Sequence, residues 1–176
     1  MHIFITGVAG FLGSNLANYY LSKNFKVSGN DNMVGGDILN VDKRVNFHEI
    51  DCENYNELKR ILKDVDVVVH SAAYAHEGLS VFSPHLISKN IVSGSTSVFS
   101  AAIQNKVKRI VFCSSMARYG KIKIPFNEND NPVPVDPYGI SKLSAEKILI
   151  NLCEMHGVEY NIAVPHNIIG ENQKYD

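Results

Sequence analysis

The 176-residue chain carries 17 Lys and Arg against 18 Asp and Glu, a formal net charge of -1, and 45% hydrophobic residues. This composition is typical of a globular domain with a sizeable core, and it favours neither nucleic acid nor a membrane as a partner. Three scattered cysteines, no recognisable leader and no apolar run of membrane-spanning length predict reduced thiols and a cytoplasmic protein.

Short β-branched or aromatic runs alternate with longer amphipathic stretches along the chain. Strands are predicted at 2–6, 25–30, 44–50, 65–70, 108–114 and 159–165, and helices at 11–23, 56–64, about 86–105 and 137–156. The first helix should share one apolar face among Leu12, Leu16, Tyr19 and Tyr20. The proline-bearing stretch 116–135 should be a loop.

This alternation predicts an α/β fold. Unbroken apolar strands indicate a parallel sheet that is covered on both faces. Because crossovers between parallel strands are right-handed, we expect a Rossmann-type doubly wound sheet in three αβα layers. Ligands of such sheets bind at the carboxyl ends of the strands, so the loops after the strands are where a site is expected.

Three evenly spaced glycines follow the first strand in the stretch "TGVAGFLG". Gly7 and Gly10 suit a tight turn, and Gly13 lets the following helix lie close to the sheet. The amino end of that helix would offer N–H groups to a phosphate. Glycines alone also fit a purely structural turn, so the signal needs a second feature.

Asp31 supplies that second feature at the end of the second strand. A carboxylate about 20 residues beyond such a loop accepts hydrogen bonds from ribose hydroxyls. The same charge would repel a 2′-phosphate, so NAD is favoured over NADP.

Tyr138 and Lys142 stand four residues apart in "DPYGISK", on one face of the last predicted helix. A nearby ammonium group, together with a nicotinamide cation, would lower the pKa of the phenol. The pair could then move a proton at a sugar or alcohol hydroxyl. An ordinary half-exposed helix face remains the alternative.

The ordered motifs resemble the extended short-chain dehydrogenase/reductases, and among them the NAD-dependent nucleotide-sugar epimerase/dehydratase family. The likeness covers essentially all 176 residues and rests on "TGVAGFLG", "DN" at 31–32, "HSAAY", "CSSMARYG" and "YGISK". The resemblance implies a catalytic set of Ser115, Tyr138 and Lys142, and NAD as the cofactor.

Further site residues follow from the same resemblance. NAD should contact Gly7, Gly10, Phe11, Leu12, Gly13, Asp31, Asn32, Asp51, Cys52, Ser71, Ala72, Ala73, Asn90, Tyr138, Lys142 and Pro165. The nucleotide-sugar substrate should contact Ser115, Met116 and Asn167. No metal site is expected, since the seven histidines show no ligand spacing.

The implied reaction is epimerisation of a nucleotide sugar by transient hydride transfer to NAD. Met116 and Ala117 stand where dehydratases of the family carry an Asp-Glu pair, which argues against elimination of water. Two alternatives stay open: a nucleotide keto-sugar reductase, and a non-catalytic NAD-binding or truncated homologue.

The resemblance also predicts how the chain is divided. Residues 1–165 should form the NAD-binding Rossmann domain, and 166–176 should begin the substrate-domain region. Family members are usually much longer, so the 176 residues alone are expected to give little turnover. A homodimer is expected.

Overall fold

The computed structural model describes residues 1–173, so the last part of the predicted segment 166–176 lies outside the described residues. The strands are β1 (His2–Thr6), β2 (Lys26–Asp31), β3 (Asn46–Glu49), β4 (Val67–His70), β5 (Arg109–Cys113) and β6 (Glu159–Ala163). The helices are α1 (Phe11–Ser22), α2 (Tyr55–Ile61), α3 (Glu77–Phe82), α4 (Pro84–Ser88), α5 (Gly94–Gln104) and α6 (Pro137–His156). The predicted alternation of strand and helix is confirmed.

All six strands form one parallel sheet in the order β3-β2-β1-β4-β5-β6. The chain moves outward from β1 to β3, then returns to the other side of β1 with β4. The direction of winding therefore reverses between β1 and β4, which creates a crevice at the carboxyl ends of these strands. This is the predicted doubly wound, Rossmann-type α/β fold.

Two apolar clusters cover the two faces of the sheet. Ile3 and Ile5 of β1 pack on one face with Ala17 and Leu21 of α1. Phe4 points to the opposite face, because successive side chains of a strand alternate. There it joins a larger cluster with side chains of α2, α5 and α6, including Leu58, Phe99 and Leu149. The three αβα layers are thus present.

The predicted apolar face of α1 is confirmed only in part: Leu16 and Tyr20 are half-buried and pack against the cluster on the sheet. The buried residues of this helix are Gly13, Ser14, Ala17 and Leu21, whereas Tyr19 is 57% exposed. A helix that lies close to a sheet needs small side chains beneath it, and the larger apolar residues are displaced to its flanks. Hydrophobic spacing alone does not reveal this close approach.

The connection between β4 and β5 is more helical than the sequence predicts. Helix α3 was expected to be loop, and α4 begins at Pro84, which suits the first position of a helix. A π-helical segment, Lys89–Ser93, joins α4 to α5 without a break. The predicted 116–135 loop is confirmed except for a 3-10 turn, Met116–Arg118.

Candidate functional site

A cavity of about 740 Å³ opens at the carboxyl ends of the strands. It is bounded by the loops after all six strands and by the first turns of α6. Every residue that the sequence predicts for the coenzyme, the catalytic set or the substrate lines this one cavity. The topology therefore brings together motifs that lie more than a hundred residues apart in the chain.

The glycines in and after the loop that follows β1 leave no room for side chains at their positions. Gly7 has a φ of +69°, and a Cβ atom added there would lie 2.9 Å from Ala72 Cα. A Cβ on Gly13 would lie 2.1 Å from the Gly7 carbonyl oxygen. No described side chain caps α1, whose N-cap is Gly10. The loop is thus a cradle of bare backbone beside an uncapped helix end, which fits a pyrophosphate.

Two carboxyl groups lie at the β2–β3 side of the cavity. Asp31 is 7% exposed, and its carboxylate accepts N–H groups of Ala9 at 3.1 Å and Met33 at 2.9 Å. Asn32 donates to the carboxylate of Asp51 at 2.7 Å. The backbone bonds hold Asp31 facing the glycine loop, so a ribose in the cavity would meet a fixed negative charge.

A buried histidine ties the ends of β1 and β4 together. The Thr6 hydroxyl oxygen accepts the N–H groups of Ser71 and Ala72, both at 3.1 Å, and lies 2.7 Å from His70 Nδ1. Because this oxygen already accepts two hydrogen bonds, the Thr6 hydroxyl donates its own hydrogen to His70 Nδ1. His70 Nε2 therefore carries the ring hydrogen and donates it to the Ser95 hydroxyl at 2.9 Å. Burial lowers the pKa of His70 to about 3, so the ring is neutral. This network fixes the backbone strip after β4 beside the glycine loop.

Helix α6 presents the predicted catalytic residues. Its start is set by Pro137 at the first position and by the Asp136 carboxylate, which accepts the Gly139 N–H at 2.8 Å. Lys142 Nζ donates to the Cys113 carbonyl at 2.8 Å and lies 5.9 Å from the Tyr138 ring centroid. Ser115 also lies beside the phenol, where its hydroxyl acts to lower the pKa of Tyr138. The three residues therefore meet at one point.

The pKa values at this point are set mainly by burial. Burial lowers the pKa of Lys142 to about 8. Burial raises the pKa of Tyr138, and the charges of Glu77 and Asp136 raise it further, against a lowering by Ser115. In the chain without a bound coenzyme, loss of hydration thus disfavours the phenolate. The predicted lowering of the Tyr138 pKa includes a nicotinamide cation, and it stays a prediction.

A buried ion pair fastens α6 to the turn that carries Ser115. Glu146, one turn beyond Lys142, lies 2.9 Å from Arg118 and accepts a hydrogen bond from the Ser114 hydroxyl. The pair positions the end of β5 against α6. Sequence reasoning missed it, because neither residue belongs to a spacing that indicates chemistry by itself.

Several further residues line the cavity without having been predicted, among them Gly35, Gly36, Tyr74 and Glu77. The glycine pair after Asp31 was a visible signal for a close backbone approach. Tyr74 ends the quoted stretch "HSAAY" but was not named as a contact, and Glu77 had no signal. Asn90 was predicted, but its side-chain oxygen accepts the Tyr74 N–H at 2.9 Å, so it also supports the cavity wall.

Residues 1–173 contain neither a metal-binding cluster nor a membrane-spanning helix. No group of three or more His, Cys, Asp or Glu side chains in this range is arranged to hold a metal ion. No helix in the described part of the chain has the length and apolar character needed to cross a membrane.

Comparison with known proteins agrees with this geometry. UDP-glucose 4-epimerase of Lacticaseibacillus casei is 33% identical over 183 residues, which cover 98% of this chain and 55% of that protein. The crystal structure of UDP-glucose 4-epimerase with UDP-glucose from Thermotoga maritima superposes with a TM-score of 0.95 at 31% identity, covering 99% of this chain and 58% of the other. The Brucella ovis UDP-glucose 4-epimerase in complex with NAD gives a TM-score of 0.87 at 29% identity, covering 92% and 50%.

The chain thus spans about half the length of the relatives and solved structures that it matches. The sequence profile of the NAD dependent epimerase/dehydratase family matches residues 3–176, nearly the whole chain. The predicted cofactor, NAD, is accordingly the cofactor of the family. The chain belongs to the NAD-dependent epimerase/dehydratase family.

Proposed function

We propose that this chain is the coenzyme-binding and proton-transferring part of an NAD-dependent 4-epimerase of UDP-sugars. The observation that carries the proposal is the meeting of Ser115, Tyr138 and Lys142 at one side of a cavity whose other side is a glycine cradle. A protein that only bound NAD would have no use for a buried phenol, hydroxyl and ammonium beside that cradle.

The residues of the cavity fit NAD in a definite order. The cradle of Gly7, Gly10 and Gly13 would hold the pyrophosphate, and Asp31 the adenosine ribose. Asp51 would lie at the adenine, and Lys142 at the ribose near the nicotinamide. When bound, NAD accepts a hydride from a sugar carbon and returns it to the other face of the same carbon.

Residues of the chain itself transfer the proton of the sugar hydroxyl. Tyr138 takes the proton of the sugar hydroxyl as hydride leaves, and Ser115 hydrogen bonds to the same oxygen. Burial raises the pKa of Tyr138, so the phenol needs positive charge nearby to ionise at neutral pH. Lys142 and the nicotinamide cation provide that charge.

Three residues of the cavity are assigned to the substrate. Ser115, Met116 and Asn167 line the cavity, and we assign them to the sugar and its diphosphate. Met116 and Ala117 carry no acid or base, which supports epimerisation rather than elimination of water. The relatives named for UDP-glucose support a UDP-sugar over other nucleotide sugars.

We further propose a cytoplasmic homodimer. Large apolar side chains are exposed along α3, α4 and the start of α6, three helices that pack against one another: Leu79, Val81, Phe82, Leu86 and Ile140. Exposed apolar patches of this kind mark association surfaces. The cysteines Cys52, Cys113 and Cys153 are all free, as in proteins of reducing compartments.

The test replaces Tyr138 by Phe in the protein at the full length of its reading frame. Removing the hydroxyl removes the proton acceptor but leaves the cradle intact. We expect interconversion of UDP-glucose and UDP-galactose to fall by about a thousandfold, while the Kd for NAD changes less than about threefold. Turnover is followed by chromatography of the UDP-sugars and NAD binding by calorimetry.

Tyr19→Phe is the matched control, because Tyr19 is 57% exposed on α1 and lies outside the cavity. It should keep full turnover. If Tyr138→Phe epimerises as fast as the unaltered protein, the proposed role of Tyr138 is wrong. If the unaltered protein binds NAD but turns over no UDP-sugar, the non-catalytic alternative holds.

A further inference from the structure

The carboxylate of Glu146, on α6, holds the chain on both sides of Ser115. Its Oε1 accepts a hydrogen bond from the Ser114 hydroxyl, and its Oε2 lies 2.9 Å from Arg118 Nη1. Ser114 directly precedes Ser115, and Arg118 ends the 3-10 turn Met116–Arg118 that follows it. One side chain of α6 thus binds both ends of the short segment that carries the Ser115 hydroxyl.

The Ser115 hydroxyl is built into this 3-10 turn. Its oxygen accepts the Ala117 N–H at 3.2 Å, and the Ser115 carbonyl accepts the Arg118 N–H at 3.1 Å. From the strip after β6, the Pro165 carbonyl accepts the Met116 N–H at 3.1 Å. The hydroxyl oxygen therefore moves with the turn, while the hydroxyl hydrogen stays available to a ligand in the cavity.

Lys142 and Glu146 stand one turn apart on α6 and bind consecutive residues at the end of β5. Lys142 Nζ donates to the Cys113 carbonyl at 2.8 Å, and Glu146 accepts the hydroxyl of Ser114. Because a helix is rigid over a single turn, the two contacts fix how the end of β5 lies along α6. The end of β5 is thereby placed relative to Tyr138, one turn before Lys142.

Folding stability does not explain the burial of this ion pair. Glu146 is 2% exposed, and the Arg118 side chain is 16% exposed. Arg118 Nε is buried without a hydrogen-bond partner among residues 1–173, which costs free energy. A buried ion pair loses in hydration about as much as it gains in attraction, and apolar residues of similar size are often at least as stabilising. A role at the neighbouring site accounts for its presence.

We propose that Glu146 is a positioning residue for Ser115, with Arg118 as the counterion that keeps its carboxylate charged and in place. Neither Glu146 nor Arg118 lines the cavity at the carboxyl ends of the strands, so they act on a ligand there only through the segment between them. The proposal deepens the proposed function and rests on it, because it takes Ser115 as the hydroxyl that bonds to the sugar oxygen.

The test removes the ion pair without changing the net charge. Arg118→Met and Glu146→Met are made together, in the protein at the full length of its reading frame. Apolar side chains of similar length occupy the same buried space, so the midpoint of urea unfolding should change little. Glu57→Met with Arg60→Met is the matched control, because that pair, at 2.7 Å, is exposed on α2.

Hydrogen exchange of the Ala117 amide reports the position of the Ser115 hydroxyl, to which this amide is bonded. We expect exchange at Ala117 to be about tenfold faster in the double variant, with the Val111 amide in the middle of β5 unchanged. The control pair should leave both amides unchanged. Unaltered exchange at Ala117 overturns the proposal, and so does an equal acceleration at Val111, which a merely structural role would give.

Kinetics measure whether Glu146 acts through Ser115. Ser115→Ala should lower kcat for UDP-glucose by about a hundredfold, since one hydrogen bond to the transition state is lost. The double variant should lower kcat by about thirtyfold, with KM and the Kd for NAD changed less than about threefold. Ser115→Ala added to the double variant should then lower kcat by less than about fivefold more. Additive losses in kcat overturn the proposal.

Ser114→Ala serves as a second variant if the double variant does not fold. It removes one of the two contacts of Glu146 and keeps the ion pair. Exchange at Ala117 should be about threefold faster with Val111 unchanged, and unaltered exchange at Ala117 overturns the proposal. This readout does not depend on turnover. Failure of the proposal is therefore distinguishable from failure of the proposed function, which Tyr138→Phe tests by epimerisation.

Discussion

Asp31 shows how one residue is held for a ligand by the backbone around it. Its two carboxylate oxygens accept N–H groups from Ala9, in the glycine loop, and from Met33, two residues further along the chain. The two bonds hold the side chain so that it faces the glycine loop. A fixed charge in this position selects hydroxyl groups and repels a phosphate.

We predict that Asp31→Asn weakens NAD binding by about tenfold, because a charge-assisted hydrogen bond of roughly 1.5 kcal/mol is replaced by a neutral one. Binding of NADP should weaken less or improve, since repulsion of the 2′-phosphate is relieved. Calorimetric titration of both coenzymes measures the change in preference. Asp42→Asn, in the same β2–β3 connection but outside the cavity, is the control. An unchanged ratio of the two Kd values contradicts the assignment.

The close packing of α1 on the sheet depends on the absence of a side chain at Gly13. The Gly13 position lies against the backbone of Gly7, where a Cβ atom would be 2.1 Å from the carbonyl oxygen. Backbone cannot rotate aside as a flexible side chain does, so any larger residue must push α1 away from the sheet. The small buried face of α1, with Ser14 and Ala17, follows from the same approach.

We predict that Gly13→Ala lowers the free energy of unfolding by about 2–3 kcal/mol, despite the better helix propensity of alanine. NAD binding should weaken as well, because the cradle widens. Urea titration measures the stability. Gly78→Ala in α3 is the control: nothing lies within 4 Å of its Cβ position, so its stability should be unchanged or slightly higher. Equal stability of the two variants would show that α1 tolerates the displacement.

The elements also show what local sequence can and cannot predict. Helix α6 was predicted with its observed bounds, because Asp136 and Pro137 start it and Gly157, with a φ of +68°, ends it. Those signals act within a few residues. Helix α3 was missed because it is held by packing against α4 and α6, which no local pattern records. Glu77, the first residue of α3, was missed with it. The sequence therefore predicted the motifs that line the cavity, but not the acidic side chain that α3 adds to them.

At the scale of the whole molecule, the sheet order explains why the separate motifs form one site. The reversal between β1 and β4 places the glycine loop next to the strip after β4, and β5 brings Ser115 to the same edge. The amino end of α6 adds Tyr138 and Lys142 at the same edge of the sheet. These placements follow from the doubly wound topology, which the alternation of elements predicted correctly.

Exposed apolar side chains of α3, α4 and α6 form one outer surface of the molecule. Phe82 is 87% exposed at the end of α3, among the apolar residues of α3, α4 and α6 proposed as the dimer surface. Phe82→Glu should weaken the dimer by about a hundredfold, because a buried aromatic anchor is replaced by a charge that must be desolvated. Sedimentation velocity over a range of protein concentrations measures the shift to monomer. Leu39→Glu changes a side chain that is 88% exposed on the β2–β3 connection, and it should leave the dimer intact. If both variants sediment as the unaltered protein does, the surface formed by α3, α4 and α6 is not the interface.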